Sequence, residues 1–301
     1  MIGVLVMAHG TPSSPEGIEP FYTRIRRGSP PTPELLADLT RRYVAIGGVS
    51  PLTERTAAQV AGIAKALEEQ HPGQYDVRFG SKFEAPLLEE TATSFRDEGF
   101  DTVVGIVLAP HSSSMSTGQY MSRAREALGE GVEFIEVGAW YDAPGFLELI
   151  AQRVTEALAT IPTSRRATTD VIFSAHSLPE RVVALGDTYP EQLRESAERA
   201  AALANVDRFD VAWQSAGRTA DPWLGPDILV ALRDKRADGV TDVVSCPIGF
   251  VSDHLEVLFD LDIEAQGVAS EVGLNLVRTA SLNDDPAFTS ILANVVHRAA
   301  H

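Results

Sequence analysis

The sequence is short of cysteine, of basic residues and of long apolar runs, and each shortage excludes something. One cysteine, Cys246, in 301 residues leaves no intrachain disulfide framework and no Cys₄ zinc site or iron–sulfur cluster held by this chain alone. That usage fits a reducing, cytoplasmic compartment. No apolar run approaches the roughly 18 residues that span a bilayer, and residues 1–10 lack the basic start of a signal peptide, so no membrane insertion is expected. Lys and Arg number 25 against 42 Asp and Glu, a formal net charge of −17. A chain of that sign repels phosphate backbones, which argues against nucleic acid as a partner. No G-x-G-x-x-G follows the first apolar run, and G-x-x-x-x-G-K-[ST] and G-x-S-x-G are absent. Dinucleotide-dependent dehydrogenases, P-loop NTPases and α/β-hydrolases therefore lose ground.

What is present is an alternation. Val- and Ile-rich runs at 2–7, 102–108, 171–173, 209–213 and 242–244, with weaker ones at 75–79 and 275–277, read as strands. Between them, 53–70, 146–158 and 190–204 have helical periodicity; in the first, Val60, Ile63, Ala64 and Leu67 share a face. Strands alternating with helices mean βαβ units and a parallel sheet buried on both faces. At roughly 150 residues per domain the length suits about two. An internal echo agrees: Ala8-His9-Gly10-Thr11-Pro12 and Ala175-His176-Ser177-Leu178-Pro179 both follow a strand, half a chain apart. Two similar α/β halves result, divided near 142–145 or in the 162–169 loop.

Three features can carry chemistry. His9, His111 and His176 each follow the carboxyl end of a predicted strand, and His254 follows the 242–244 run after a short loop. Ligands of open α/β sheets bind outside those ends, so two facing halves bring these imidazoles to a cleft; the plainer role of a strand-end histidine is to satisfy loop backbone. His71, His297 and His301 read as bystanders. Second, 253–264 opens like a helix capped by Ser252 or Asp253. Glu256, Asp260 and Glu264 stand at i, i+4 and i+8, and at roughly 40° per step of four they share one face. Such a row offers a divalent cation a path, or is simply a solvated helix face. Third, Arg24, Arg26, Arg27, Arg41 and Arg42, interleaved with Tyr22 and Tyr43, suit a large flat polyanion, or form an exposed basic surface.

Together these residues resemble the ferrochelatase family. Val171-Ile172-Phe173-Ser174-Ala175-His176-Ser177-Leu178-Pro179 looks like its histidine signature. Pro247-Ile248-Gly249-Phe250-Val251-Ser252-Asp253-His254-Leu255-Glu256-Val257-Leu258 looks like its glutamate signature. Arg42-Tyr43-x-x-Ile46-Gly47-Gly48-x-Ser50-Pro51-Leu52, Leu108-Ala109-Pro110-His111, Trp213-Gln214-Ser215 and Asp221-Pro222-Trp223-Leu224-Gly225-Pro226 also match, so the resemblance runs over nearly the whole chain. It implies an α/β chelatase fold of two Rossmann-like domains, each a four-stranded parallel sheet flanked by helices. Residues 1–145 would carry the porphyrin-binding segments and 146–285 the metal-site His and Glu, with a helix in 286–301 packing back on the first domain.

The resemblance implies a lyase that inserts Fe(II), its substrate, into a porphyrin. By the family's pattern His176 and Glu256 face each other as the catalytic and metal-binding pair, and Asp260 and Glu264 are expected on the metal's entry path. The branch resembled most is the soluble Gram-positive type, which makes coproheme from coproporphyrin III in haem biosynthesis. It matches Arg26, Arg42, Tyr43, Ser50 and Tyr120 to porphyrin-binding positions. Ser13-Ser14-Pro15-Glu16-Gly17 stands where the protoporphyrin branch has a hydrophobic, membrane-docking lip. His9 stands where relatives often carry a Tyr that ligates the product iron on the face away from the His/Glu pair, so His9 is expected as that axial ligand. Some relatives hold a [2Fe–2S] cluster; with Cys246 alone, none is expected. A transient protein partner for coproheme hand-over is implied. Three alternatives stay open: a protoporphyrin IX ferrochelatase, a chelatase for another metal such as cobalt and another tetrapyrrole, and a non-enzymatic haem or porphyrin carrier. A carrier needs no acid ladder, and a cobalt chelatase is expected to lack the Arg42–Leu52 block.

Overall fold

The computed structural model describes residues 1–217 and 219–301. In its first half β1 (Ile2–Ala8), α1 (Ile18–Ile25), α2 (Pro33–Ala45), α3 (Leu52–Gln70), β2 (Tyr75–Ser81), α4 (Leu88–Asp97), β3 (Thr102–Val107), α5 (Thr117–Leu128) and β4 (Glu133–Val137) follow one another. The second half repeats the alternation with α6 (Phe146–Ala159), α7 (Thr163–Arg166), β5 (Asp170–His176), α8 (Arg181–Ala184), α9 (Tyr189–Leu203), β6 (Phe209–Gln214), α10 (Ile228–Ala237) and β7 (Asp242–Cys246). A π-helix (Val257–Ala265), α11 (Gln266–Val272), β8 (Asn275–Arg278) and α12 (Pro286–Ala299) follow.

The strands form two four-stranded sheets, ordered β2-β1-β3-β4 and β6-β5-β7-β8, with every pairing parallel. This is the expected fold class, and the orders are the same. β1 and β5 hold equivalent places, beside the point where strand order reverses, which is where open sheets bind ligands. β1 is buried from Gly3 onward because helices cover both faces. β4 has no counterpart among the apolar runs read from sequence. It is an edge strand, Glu133-Phe134-Ile135-Glu136-Val137, mostly half-buried or exposed, and its two glutamates break the run.

One apolar cluster joins the two halves. Val4 and Val6 of β1, Val171 and Phe173 of β5, Trp140, Phe146 and Phe288 all belong to it. Trp140 Nε1 donates to the Val107 carbonyl at 2.9 Å. His111 is fully enclosed where the halves meet: its Nε2 lies 2.8 Å from Ser196 Oγ of α9, and its ring stacks on Tyr141. Burial pushes its pKa down to about 3, so it is a neutral structural imidazole. Among the four strand-end histidines this one belongs to the core.

A glycine allows the loop after β7 to approach β5 closely. The β7–π-helix loop presses on β5: Gly249 N donates to the Ser174 carbonyl at 3.1 Å, and a Cβ on Gly249 would stand 2.4 Å from that of Ala175. No side chain fits, and the contact is one residue from His176. We expect Gly249→Ala to cost about 1–3 kcal/mol of stability, as overpacking does. Gly267→Ala, in α11 with open space around it, should be neutral or stabilising. Urea unfolding of both variants tests this; equal stability would mean the loop yields freely.

Candidate active site

His9 follows β1, His176 ends β5, and His254 precedes the π-helix. Each presents its ring in the same way. Nδ1 lies against a backbone carbonyl: 3.1 Å from Gly10 for His9, 2.5 Å from Ser177 for His176, 2.9 Å from Ser252 for His254. A carbonyl only accepts, so Nδ1 carries the proton and donates, and Nε2 is the atom left for other partners. Gly10, at φ 83°, makes the turn after His9. His254, expected at the cleft but with no assigned role, stands as near the carboxylate as His176 does. His176 Nε2 is 3.6 Å from Glu256 Oε1, and His254 Nε2 is 3.6 Å from Glu256 Oε2.

The pair is charged. Desolvation opposes an imidazolium at His176, but the Glu256 carboxylate and the Ser177 carbonyl outweigh it and raise its pKa to about 9. Desolvation likewise opposes charge on Glu256, yet the facing histidines hold it well below the usual carboxylate range. Both side chains remain about one-third exposed, 36% and 35%, so they line an open cleft. His9 differs. Its ring is flanked by Phe83, 4.8 Å between centroids, and Phe21, 5.8 Å, and is exposed to solvent. Desolvation lowers its pKa against the pull of Glu256, leaving a neutral imidazole with Nε2 free.

The other sequence-derived positions fall into three groups. Tyr43 and Tyr120 are buried beside the cleft. Tyr43 OH lies 3.0 Å from Thr11 Oγ1, and burial pushes its pKa up to about 12. The Lys82 ammonium rests 4.7 Å from the centre of the Tyr120 ring. Ser50 is also buried, but its hydroxyl is engaged locally, accepting from Leu52 N at 3.3 Å at the start of α3. Arg26 is not gathered in: it is exposed at the end of α1, 5.9 Å from the Tyr22 ring centre, and forms no ion pair among the described residues. Lys82 and Tyr189 were missed. Lys82 is buried, donates to Gln119 Oε1 at 2.8 Å, and has its pKa lowered to about 8 by burial and by Arg123 and Arg27. Tyr189 OH donates to the His176 carbonyl at 3.1 Å. An isolated Lys or Tyr carries no pattern that sequence alone would register.

The acid ladder corrects an expectation. Glu256, Asp260 and Glu264 were placed on an α-helix, but Val257–Ala265 is π-helical and has no side-chain cap. Instead of capping, Asp253 accepts from Ser281 Oγ and Asn283 Nδ2 and pairs with Arg278. Bonding from i to i+5 winds more slowly than an α-helix, so residues four apart stay close in register and the three carboxylates still share a face. Asp260 is buried, accepts from Ser215 Oγ, and lies 3.6 Å from Arg42 Nη1. Burial and the nearby Glu256 push its pKa up to about 7. Arg42, Gln214, Ser215, Glu256, Asp260 and Glu264 line a cavity of about 210 Å³ along the ladder. A wider depression of about 520 Å³ at the end of α5 contains none of these residues.

A carboxylate thus stands between two imidazoles in the second half, with a row of acids along the helix that follows it. Two solved structures resemble the chain in fold. One, titled as CbiX, the terminal enzyme for biosynthesis of siroheme in denitrifying bacteria, matches with a TM-score of 0.56 and 16% identity over 98% of each chain. Another, SirB from Bacillus subtilis with Fe³⁺, matches at 0.58 and 10% over 99% of this chain and 95% of that one. At those identities the likeness is one of fold. Sequence goes further: the ferrochelatase family profile matches residues 1–300. A ferrochelatase of Herpetosiphon aurantiacus is 43% identical over 296 residues, 97% of each chain. The coproporphyrin III ferrochelatase of Bacillus subtilis is 43% identical over 299 residues, 98% of this chain and 96% of its own. That of Halalkalibacterium halodurans is 43% identical over 301 residues, 99% of this chain and 96% of its own. The chain belongs to the ferrochelatase family.

The charged pair has a measurable signature. In Glu256→Gln the attraction is gone and desolvation remains, so His176 should titrate near or below the ordinary histidine value of about 6.5 instead of about 9. Long-range ¹H–¹⁵N spectra of the imidazole nitrogens between pH 5 and 10 report this directly. A His176 still titrating near 9 in that variant would show that Glu256 is not the cause.

Proposed function

We propose that this protein inserts Fe(II) into coproporphyrin III to make coproheme in haem biosynthesis. The observation that carries the reading is Glu256 held between the Nε2 atoms of His176 and His254, each at 3.6 Å. The names of the Bacillus and Halalkalibacterium relatives support the choice of porphyrin. The arithmetic of the reaction is two protons out for one Fe²⁺ in. His176 holds a proton at neutral pH in the substrate-free site, so it must shed it before its Nε2 can ligate iron or accept from a pyrrole N–H. Iron arriving at Glu256 removes the charge that holds that proton, so metal arrival itself readies the base. Asp260 and Glu264 line the route by which iron reaches Glu256. Asp260 gains charge as pH rises through about 7, so supply along that route strengthens in the same range.

Arg42, Tyr43, Ser50 and Tyr120 are the porphyrin-side positions, with Arg26 at the rim for a propionate that extends into solvent. His9, neutral with Nε2 free, ligates the product iron. Cys246 is buried in β7 with its thiol pKa pushed up to about 12 by burial, a poor thiolate ligand, which suits a chain without an iron–sulfur cluster. Among the described residues no helix is long and apolar enough to cross a membrane. We place the reaction in the cytoplasm, with a transient protein partner receiving the product.

Anaerobic incubation with Fe(II) and each porphyrin, followed by absorbance, tests the reading. Coproporphyrin III should be metallated with higher kcat/KM than protoporphyrin IX, and His176→Ala should bind porphyrin without inserting iron. Equal or reversed preference moves the protein to the protoporphyrin branch, and wild-type turnover in His176→Ala removes the assignment. The product complex should show an imidazole–iron stretch in resonance Raman that disappears in His9→Ala, since proximal His ligates ferrous and ferric haem alike. Unchanged bands in that variant would exclude His9 as the ligand.

A further inference from the structure

Arg42 faces two ways. On the α2 side its Nε donates to Asp38 Oδ2 at 3.1 Å. Its guanidinium carbon lies 5.1 Å from the centre of the buried Phe259 ring, and Nη1 stands 3.6 Å from Asp260 Oδ1 on the π-helix. Asp260 is only 6% exposed. Ser215 occupies its other oxygen, and Oδ1, though buried, makes no hydrogen bond. The guanidinium therefore occupies, by charge alone, the place at Asp260 where a divalent cation would gain most. A planar fork at that distance is poorly satisfied, whereas a carboxylate that it meets edge-on gives two parallel charge-assisted hydrogen bonds. A porphyrin propionate is such a carboxylate.

We propose that Arg42 plugs the acid ladder in the substrate-free protein and is drawn off Asp260 by a porphyrin propionate, so that porphyrin binding opens the cation path. This rests on the reading of Asp260 and Glu264 as that path and of Arg42 as a porphyrin contact. Porphyrin and metal then bind with positive coupling, and the coupling is reciprocal. Iron meeting an empty cleft finds Asp260 already neutralised; iron meeting a loaded one finds it bare.

Arg41 is a built-in control. Its guanidinium carbon also lies 5.1 Å from the Phe259 ring centre and it shares Asp38 with Arg42, but among the described residues only Arg42 pairs with Asp260. The test is Mn²⁺ binding by electron paramagnetic resonance at fixed ionic strength, with and without gallium(III) coproporphyrin III, whose filled macrocycle takes no second metal. In the wild type the porphyrin should tighten Mn²⁺ binding by about fivefold or more, within the ordinary range of coupling. Arg42→Met should bind Mn²⁺ more tightly from the start and lose that further gain, Arg41→Met should follow the wild type, and Arg42→Met/Asp260→Asn should lose the tightened binding. Equal Mn²⁺ affinity in porphyrin-free Arg42→Met and wild type, or the same gain from Arg41→Met, overturns the plug while leaving the ladder standing. If the Asp260→Asn change leaves Mn²⁺ binding in Arg42→Met untouched, the ladder reading fails and the proposal falls with it.

Discussion

The charge pair between His176 Nε2 and Glu256 Oε1 sets the protonation state of the cleft around it. Glu256 is the common neighbour: it stabilises the imidazolium at His176, lies equally close to His254, opposes loss of the proton from Tyr43, Tyr120 and Tyr189, and raises the pKa of Asp260. A partly buried carboxylate is stabilised in its ionised form by a cationic partner. His176 is that partner. In the proposed function a divalent metal takes its place, so that one cation is exchanged for another, proton for metal.

The fold makes the pair possible by repeating itself. Both sheets place an imidazole at the end of the strand beside the order reversal, and both rings turn Nδ1 to the carbonyl of the next residue. One copy faces a carboxylate and is charged; the other faces aromatic rings and is neutral. The same backbone device thus presents a charged imidazole in one half and a neutral one in the other, and the difference comes from neighbours. The shared core through Val4, Phe173, Trp140 and Phe288 packs the two halves against each other.

Much of this was legible in the chain. The continuous apolar runs gave the buried strands, and the A-H-[GS]-x-P echo marked the matched strand ends, because both features follow from local chemistry. β4 was not legible, since an edge strand with Glu133 and Glu136 has no need of an apolar run. The π-helix was not legible either: the i, i+4, i+8 spacing of Glu256, Asp260 and Glu264 suits both windings. His111 looked the same as His9 in sequence, and only the packing of α9 against β3's end turned it into a core residue. His254, Lys82 and Tyr189 owe their positions to contacts across the fold, which no spacing encodes.

The proposed function stands on His176 and Glu256 acting as one unit. Residues that act as a unit lose their effect together. A double-mutant cycle on the iron-insertion rate, with His176→Ala, Glu256→Ala and the double variant at saturating porphyrin, measures this directly. The account predicts that the double variant is hardly slower than the worse single one. Losses that multiply, each residue contributing its full factor in the absence of the other, would contradict it.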